Sequence, residues 1–297
     1  RDDAGPSRVT FVTLPAANEH RAGAANGGSL CHTRPMHTPA VRYASGADPH
    51  VGEIVLDRRD NRNSMTPELL EAVGEAVTAA KADPTLRCLV VRGEGHCFSA
   101  GADFKSVVQL DGAGLPNERS FAMYAPFLSL RTLEVPVLGA LNGHAVGGGF
   151  GLSLMCDVRI AAAGSKYGAN FARLGLSSGM AISYILPRLV GVSRAAEMLF
   201  TGALVSGEEA AAMGLVSRAR PAAEVLPNTR ALAATIAANA PLAVRLIKKT
   251  LYDGLDWNPA AAARIEAGFQ AETLATDDAK EGMAALLEKR TPQFHGR

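Results

Sequence analysis

The feature that most constrains the fold is a recurring unit: a short apolar run, a glycine-containing turn, then an amphipathic stripe. CLVV at residues 88–91 ends in RGEG, and a run this short and continuous reads as a strand covered on both faces. PVLGALNG leads into a helix running from the glycines at 147–149 to Cys156. DVRIAAAG precedes helices spanning Ile182 to Phe200, and GLVSRAR follows the capping box Ser206 to Glu209. Upstream, VRYAS and VGEIVLD alternate as a half-buried hairpin does, and Thr66-Pro67 opens a helix with Leu69, Leu70, Val73 and Val77 on one face. Strands alternating with helices predict an α/β core at residues 39–220. From Pro221 the pattern is helical only, over 227–239, 241–252, 259–275 and 279–289. Residues 221–297 are therefore expected to cap the core or pack on a neighbouring subunit. Residues 1–38 lack either period and read as a flexible, solvated extension. Asp2, Asp3 and Glu19 count against a transit peptide there.

Charge and cysteine usage narrow the function. Thirty basic against twenty-nine acidic residues, net +1, give no global field for a polyanion, so no nucleic-acid partner and no membrane-surface partner is expected. Cys31, Cys88, Cys97 and Cys156 are scattered, which argues for neither a disulfide framework nor a metal site and fits a reducing, cytoplasmic setting. No run of about eighteen apolar residues appears, so no membrane span is expected.

Two segments place small residues where a strand hands over to a helix: Phe98 to Asp103 (FSAGAD) and Asn142 to Gly149 (NGHAVGGG). Small side chains let a ligand touch backbone. The second segment opens a helix, so free N–H groups near Gly148 suit an anion or a developing oxyanion; close strand–helix packing is the plainer explanation of a glycine triplet. Neither segment spells GxGxxG, because the third positions are Leu152 and Phe98, and no GxxxxGK[ST] occurs. Residues 175–179 (GLSSG) do fit GxSxG, with Ser177 as nucleophile. A serine hydrolase, however, needs a strand before that serine and a histidine after it, and only His295 is offered.

In this order and spacing the glycine segments, together with LDRRDNRNSMT, CDVRIAA, LPRLVG and TGALVSGEEAAAMGLV, resemble the crotonase family, the enoyl-CoA hydratase/isomerase superfamily, from about Val41 to Arg297. The resemblance implies a spiral of ββα turns with a C-terminal helical region, assembled as a homotrimer or dimer of trimers. It implies an acyl-CoA ligand, with coenzyme A entering as part of the thioester and no separate cofactor. It assigns the oxyanion-hole N–H groups to Ala100 and Gly148, and the CoA site to Arg62, Ala102, Asp103 and Lys289, with Lys248 and Lys249 as helpers.

The chain departs from the family's pattern at two chemically decisive positions. Where typical hydratases carry glutamates, as GGGxE and FGxPE, this sequence has Gly151 and Phe171, neither of which can deprotonate water or protonate carbon. The position matching the aspartate of the dehalogenase branch is Gly179. Substitute polar groups are Ser177, Ser178 and Asn170 beside the second missing glutamate, His144 before the triplet, and Tyr124 or Glu118 after a flexible DGAGLPN segment. Asp103 is expected to cap a helix beginning at Phe104. The sequence thus suggests a lyase or isomerase acting through a thioester enolate without the two usual glutamates, with a non-catalytic acyl-CoA binder as the rival and the serine hydrolase as a remote one.

Overall fold

The computed structural model describes residues 40–103 and 115–297. The expected tail at 1–38 and the expected helix start at Phe104 lie outside them.

Among the described residues ten strands form two sheets. The larger contains, in spatial order, β1 (Val41–Ser45), β2 (Val51–Leu56), β3 (Cys88–Gly93), β5 (Val137–Leu141), β7 (Val158–Ala162) and β10 (Arg218–Arg220). Only the β1–β2 pair is antiparallel. The smaller sheet orders β4 (Cys97–Ser99), β6 (His144–Val146), β8 (Lys166–Gly168) and β9 (Val205–Ser206). Each of β3, β5 and β7 is followed at once by a strand of the second sheet, so successive turns of the chain deposit one strand in each layer. That is the ββα spiral the family resemblance implied.

The helices follow from local chemistry. The Thr66 hydroxyl accepts the Leu69 N–H at the start of α1 (Pro67–Ala82), and buried Leu69, Leu70, Val73 and Val77 face the core. The larger sheet is covered on both sides: α1 lies over one face, and α7 (Ala222–Ala237) packs against β3, β5 and β7 through Val225, Ala233 and Ala237. This corrects the half-buried hairpin, since all six residues of β2 are buried. Its polar member, Glu53, does not face water but bonds Arg92 at 2.9 Å and Arg230 of α7 at 2.6 Å. Burial alone would raise the Glu53 carboxyl; the hydrogen bonds from Arg230 and Arg92 outweigh it and hold it below the ordinary range.

Helix α7 begins five residues before the expected 227, because Pro221 rather than Pro227 marks its entry. Then come α8 (Pro241–Asp253), α9 (Pro259–Leu274), started by the Asn258 side chain, and α10 (Asp277–Glu288), started by Thr276 two residues earlier than read. Among the described residues no single helix is long and apolar enough to cross a bilayer.

Candidate functional site

The two glycine segments meet backbone to backbone. Gly101 has φ +84°, and a Cβ built on it would lie 2.5 Å from the Val146 oxygen and 2.9 Å from the Gly148 nitrogen. A Cβ at Gly149 would collide with the Ser99 carbonyl, and one at Gly148 with the Met65 sulfur. Only glycine allows β4 and the following turn to seat against α3 (Gly148–Leu154).

Which amides this seating leaves free is decided by their partners. The Ala100 N–H, expected as one oxyanion donor, instead donates to the Arg62 carbonyl at 3.0 Å. It is occupied in this structure. Ala102 bridges Met65 in parallel fashion, with the Met65 N–H on the Gly101 oxygen at 2.8 Å, so the N–H of Ala102 itself points away from that partner. Among the described residues the Ala102 and Gly148 N–H groups have no hydrogen-bond acceptor. The sequence signal for this was present in the glycine at 101. A residue at positive φ redirects the next amide, and the Asn63 side chain, donating to the Glu94, Cys97 and Phe98 carbonyls, pins the loop that occupies Ala100.

Beside these amides lies a cavity of about 490 Å³ lined by Arg62, Ser64, Ala100, Ala102, Asp103 and His144. The Arg62 side chain is exposed and has no partner among the described residues, whereas His144 is tied down. Its Nδ1 accepts the Lys166 N–H at 2.9 Å, which puts the ring proton on Nε2. Cys97 donates its thiol to the His144 carbonyl at 3.1 Å, and burial pushes that thiol up to about 11, so it is no nucleophile.

On the other side of Gly148 the two positions of absent glutamates are filled by apolar groups. A Cβ at Gly151 would lie 2.9 Å from the Met180 sulfur and 3.0 Å from the Met180 Cβ, so Met180 occupies the space a longer side chain at 151 would need. Asn170 and Phe171 close on Gly147, with Asn170 Oδ1 3.4 Å and a Phe171 ring carbon 3.8 Å from a Cβ placed there. The phenol oxygen of Tyr124, from α2 (Pro116–Leu128), would be 2.6 Å from a Cβ at Gly179. The Ser178 hydroxyl is buried with no partner among the described residues.

Several expected residues stand elsewhere. Lys248 is structural, bonded to Asp157 and to the Val135 carbonyl, each at 2.8 Å, and Lys249 pairs with Asp253. Glu118 accepts the Leu115 N–H at the start of α2. Lys289 forms the C-cap of α10 and is not among the cavity residues. Ser177 is exposed in coil between the 3₁₀ turn Phe171–Leu174 and α4 (Ile182–Val190), so the strand–turn–helix elbow of a serine hydrolase is not formed.

An α/β spiral with a backbone-lined cleft between its two glycine segments is the crotonase fold, and comparison with known proteins agrees. The family described as Enoyl-CoA hydratase/isomerase matches residues 46–297, and the chain belongs to it. A probable enoyl-CoA hydratase of Mycobacterium tuberculosis is 35% identical over 250 residues, 84% of this chain and 96% of that one. A crotonyl-CoA hydratase of Syntrophomonas wolfei is 35% identical over 244 residues, 81% and 93% of the two chains. Among solved structures, an enoyl-CoA hydratase from Bacillus anthracis superposes with a TM-score of 0.81 at 33% identity, covering 87% of this chain and all of that one.

Proposed function

We propose that the protein binds an acyl-CoA thioester, with the carbonyl oxygen between the N–H groups of Ala102 and Gly148, and that it stabilises the enolate formed there. The carrying observation is that two amides from separate segments, held together by the Gly101 contact, both lack an acceptor among the described residues. A thioester enolate concentrates charge on its oxygen. Fixed donors aimed at such an oxygen are each worth about 2.7–4 kcal/mol in a transition state. Arg62, exposed and unpaired at the cavity wall, suits the phosphates of coenzyme A.

The reaction is a thioester-enolate conversion that does not run through paired carboxylates at 151 and 171. Met180 packed on Gly151 supports this, because it leaves no room for the first of them. Assembly into trimers belongs to the same reading: Leu274, Met283, Leu286 and Leu287 are exposed on the last two helices, and sedimentation checks whether a second copy covers them.

The deciding experiment is a crystal grown with butyryl-CoA. The thioester oxygen is expected within about 3.2 Å of both nitrogens, the outer range of an N–H···O bond. An oxygen found elsewhere ends the proposal. Turnover of a panel of enoyl-CoA esters then separates an enzyme from a binder that holds the ester unchanged.

A further inference from the structure

A second cavity, of about 390 Å³, is lined by the stretch Arg131 to Glu134 ahead of β5 and by helix α8, and it shares no lining residue with the cavity beside Ala102. Helix α8 carries Arg245, Lys248, Lys249 and Tyr252 at positions i, i+3, i+4 and i+7, a single stripe, and all four line this cavity together with Arg131. Four basic side chains thus meet two acidic ones, Glu134 and Asp253. Both lysines are already spent, Lys248 on Asp157 and Lys249 on Asp253, each at 2.8 Å. Neither arginine is. The Arg131 guanidinium lies over the Tyr252 ring, 4.3 Å from its centroid, and has no hydrogen bond or ion pair among the described residues. Arg245 has none either, and its Nε is buried. An arginine keeps its charge at any ordinary pH, so a buried guanidinium N–H without an acceptor is a standing cost that an incoming anion removes.

We propose that this cavity is a binding site for a phosphate-bearing ligand, separate from the thioester cleft, with the phosphoryl group held by Arg131 and Arg245. A carboxylate brings one charge and neutralises one guanidinium. A phosphoryl group brings nearly two charges and three acceptor oxygens, which matches two unspent guanidiniums. The volume exceeds what the anion alone fills, and Leu133, Leu242 and Leu246 give the remainder an apolar wall suited to a small organic body.

Calorimetric titration of the full-length protein with inorganic phosphate, AMP and acetate, at matched ionic strength, tests this. Phosphate and AMP are expected to bind saturably and acetate at least about tenfold more weakly, the difference that one charge-assisted hydrogen bond makes. Tighter binding of AMP than of phosphate identifies a phosphate monoester as the ligand; equal binding identifies the free anion. Arg131→Gln and Arg245→Gln are each expected to weaken phosphate and AMP at least about tenfold while leaving butyryl-CoA affinity unchanged, and Arg62→Gln to leave phosphate affinity unchanged. Phosphate should raise the melting temperature of the wild type and not that of the double arginine variant. Removing Arg245 deletes a side chain without partners, so the ligand-free melting temperature of Arg245→Gln should hold or rise; a fall in that temperature with phosphate affinity intact would make the residue structural and overturn the proposal. Absence of saturable binding, equal binding of acetate, or loss of phosphate binding in Arg62→Gln alone also overturns it, and none of these outcomes touches the thioester reading.

Discussion

The end of the cleft proposed to hold the thioester is made of main chain, with Gly101, Ala102, Gly147 and Gly148 in close backbone register, whereas the end proposed to hold the acyl chain is made of the side chains of Tyr124, Asn170, Phe171 and Met180. The first end belongs to the fold: its donors are fixed by the same contacts that hold β4 against α3, so they cannot drift without disturbing the core. The second is set by side chains that pack on Gly147, Gly151 and Gly179. On the proposed reading, enolate stabilisation is thereby tied to the contacts that hold the core, and the fate of the enolate to side chains.

The sharpest way to break this contrast is Gly101→Ala. The added methyl meets the Val146 carbonyl and forces an ordinary residue to φ +84°. A loss of about 3–5 kcal/mol in urea unfolding is expected from the clash and backbone strain together. An effect below about 1 kcal/mol would mean the backbone end is looser than described.

The acyl end should behave differently. Gly151→Glu with Phe171→Glu is expected to leave crotonyl-CoA hydration at background, because Met180 fills the space at 151. Adding Met180→Ala should raise hydration by about 10²-fold, the lower range for a positioned acid–base group. Enoyl absorbance followed over time reads this directly. If the double variant is already active, Met180 does not obstruct the site.

A third, smaller effect probes what supports the backbone end. Glu53 holds Arg92, which also bonds Glu94, and the Glu94 carbonyl receives Asn63. Glu53→Gln should cost about 2–3 kcal/mol at pH 7, less than a fully buried pair because Arg230 is half-exposed. The folded carboxyl is held low, so its contribution is whole above the unfolded value of about 4.3 and is lost as pH falls through the lower folded value. The gap between wild type and Glu53→Gln should therefore close on acidification below about pH 4.3. A gap that is constant with pH would show that the ion pairs are not its source.

The residue pattern carried the alternation of strands and helices, because short apolar runs and glycines at handover points record packing, while the spiral and the pairing of the two glycine segments came from the resemblance to the crotonase family. It assigned a donor to the Ala100 N–H, since only the hydrogen bond to the Arg62 carbonyl reveals that this amide is spent. It saw that Gly151 and Phe171 lack carboxylates but not that Met180 stands in the gap, a contact between residues 29 apart that no local pattern encodes. The burial of Glu53 was hidden for a similar reason: its partner Arg230 arrives from 177 positions away.

Met180 and Ala181 sit consecutively in left-handed backbone, at φ 55° and 56°, though neither is glycine. Each such residue carries roughly 1–2 kcal/mol of conformational penalty, borne by the surroundings that clamp the pair. The plug beside Gly151 is thus spring-loaded: glycine at either position would relax the chain. Removing the Met180 side chain would open that space at the cost of a core cavity, offset in part by relief of its left-handed backbone where the replacement is glycine.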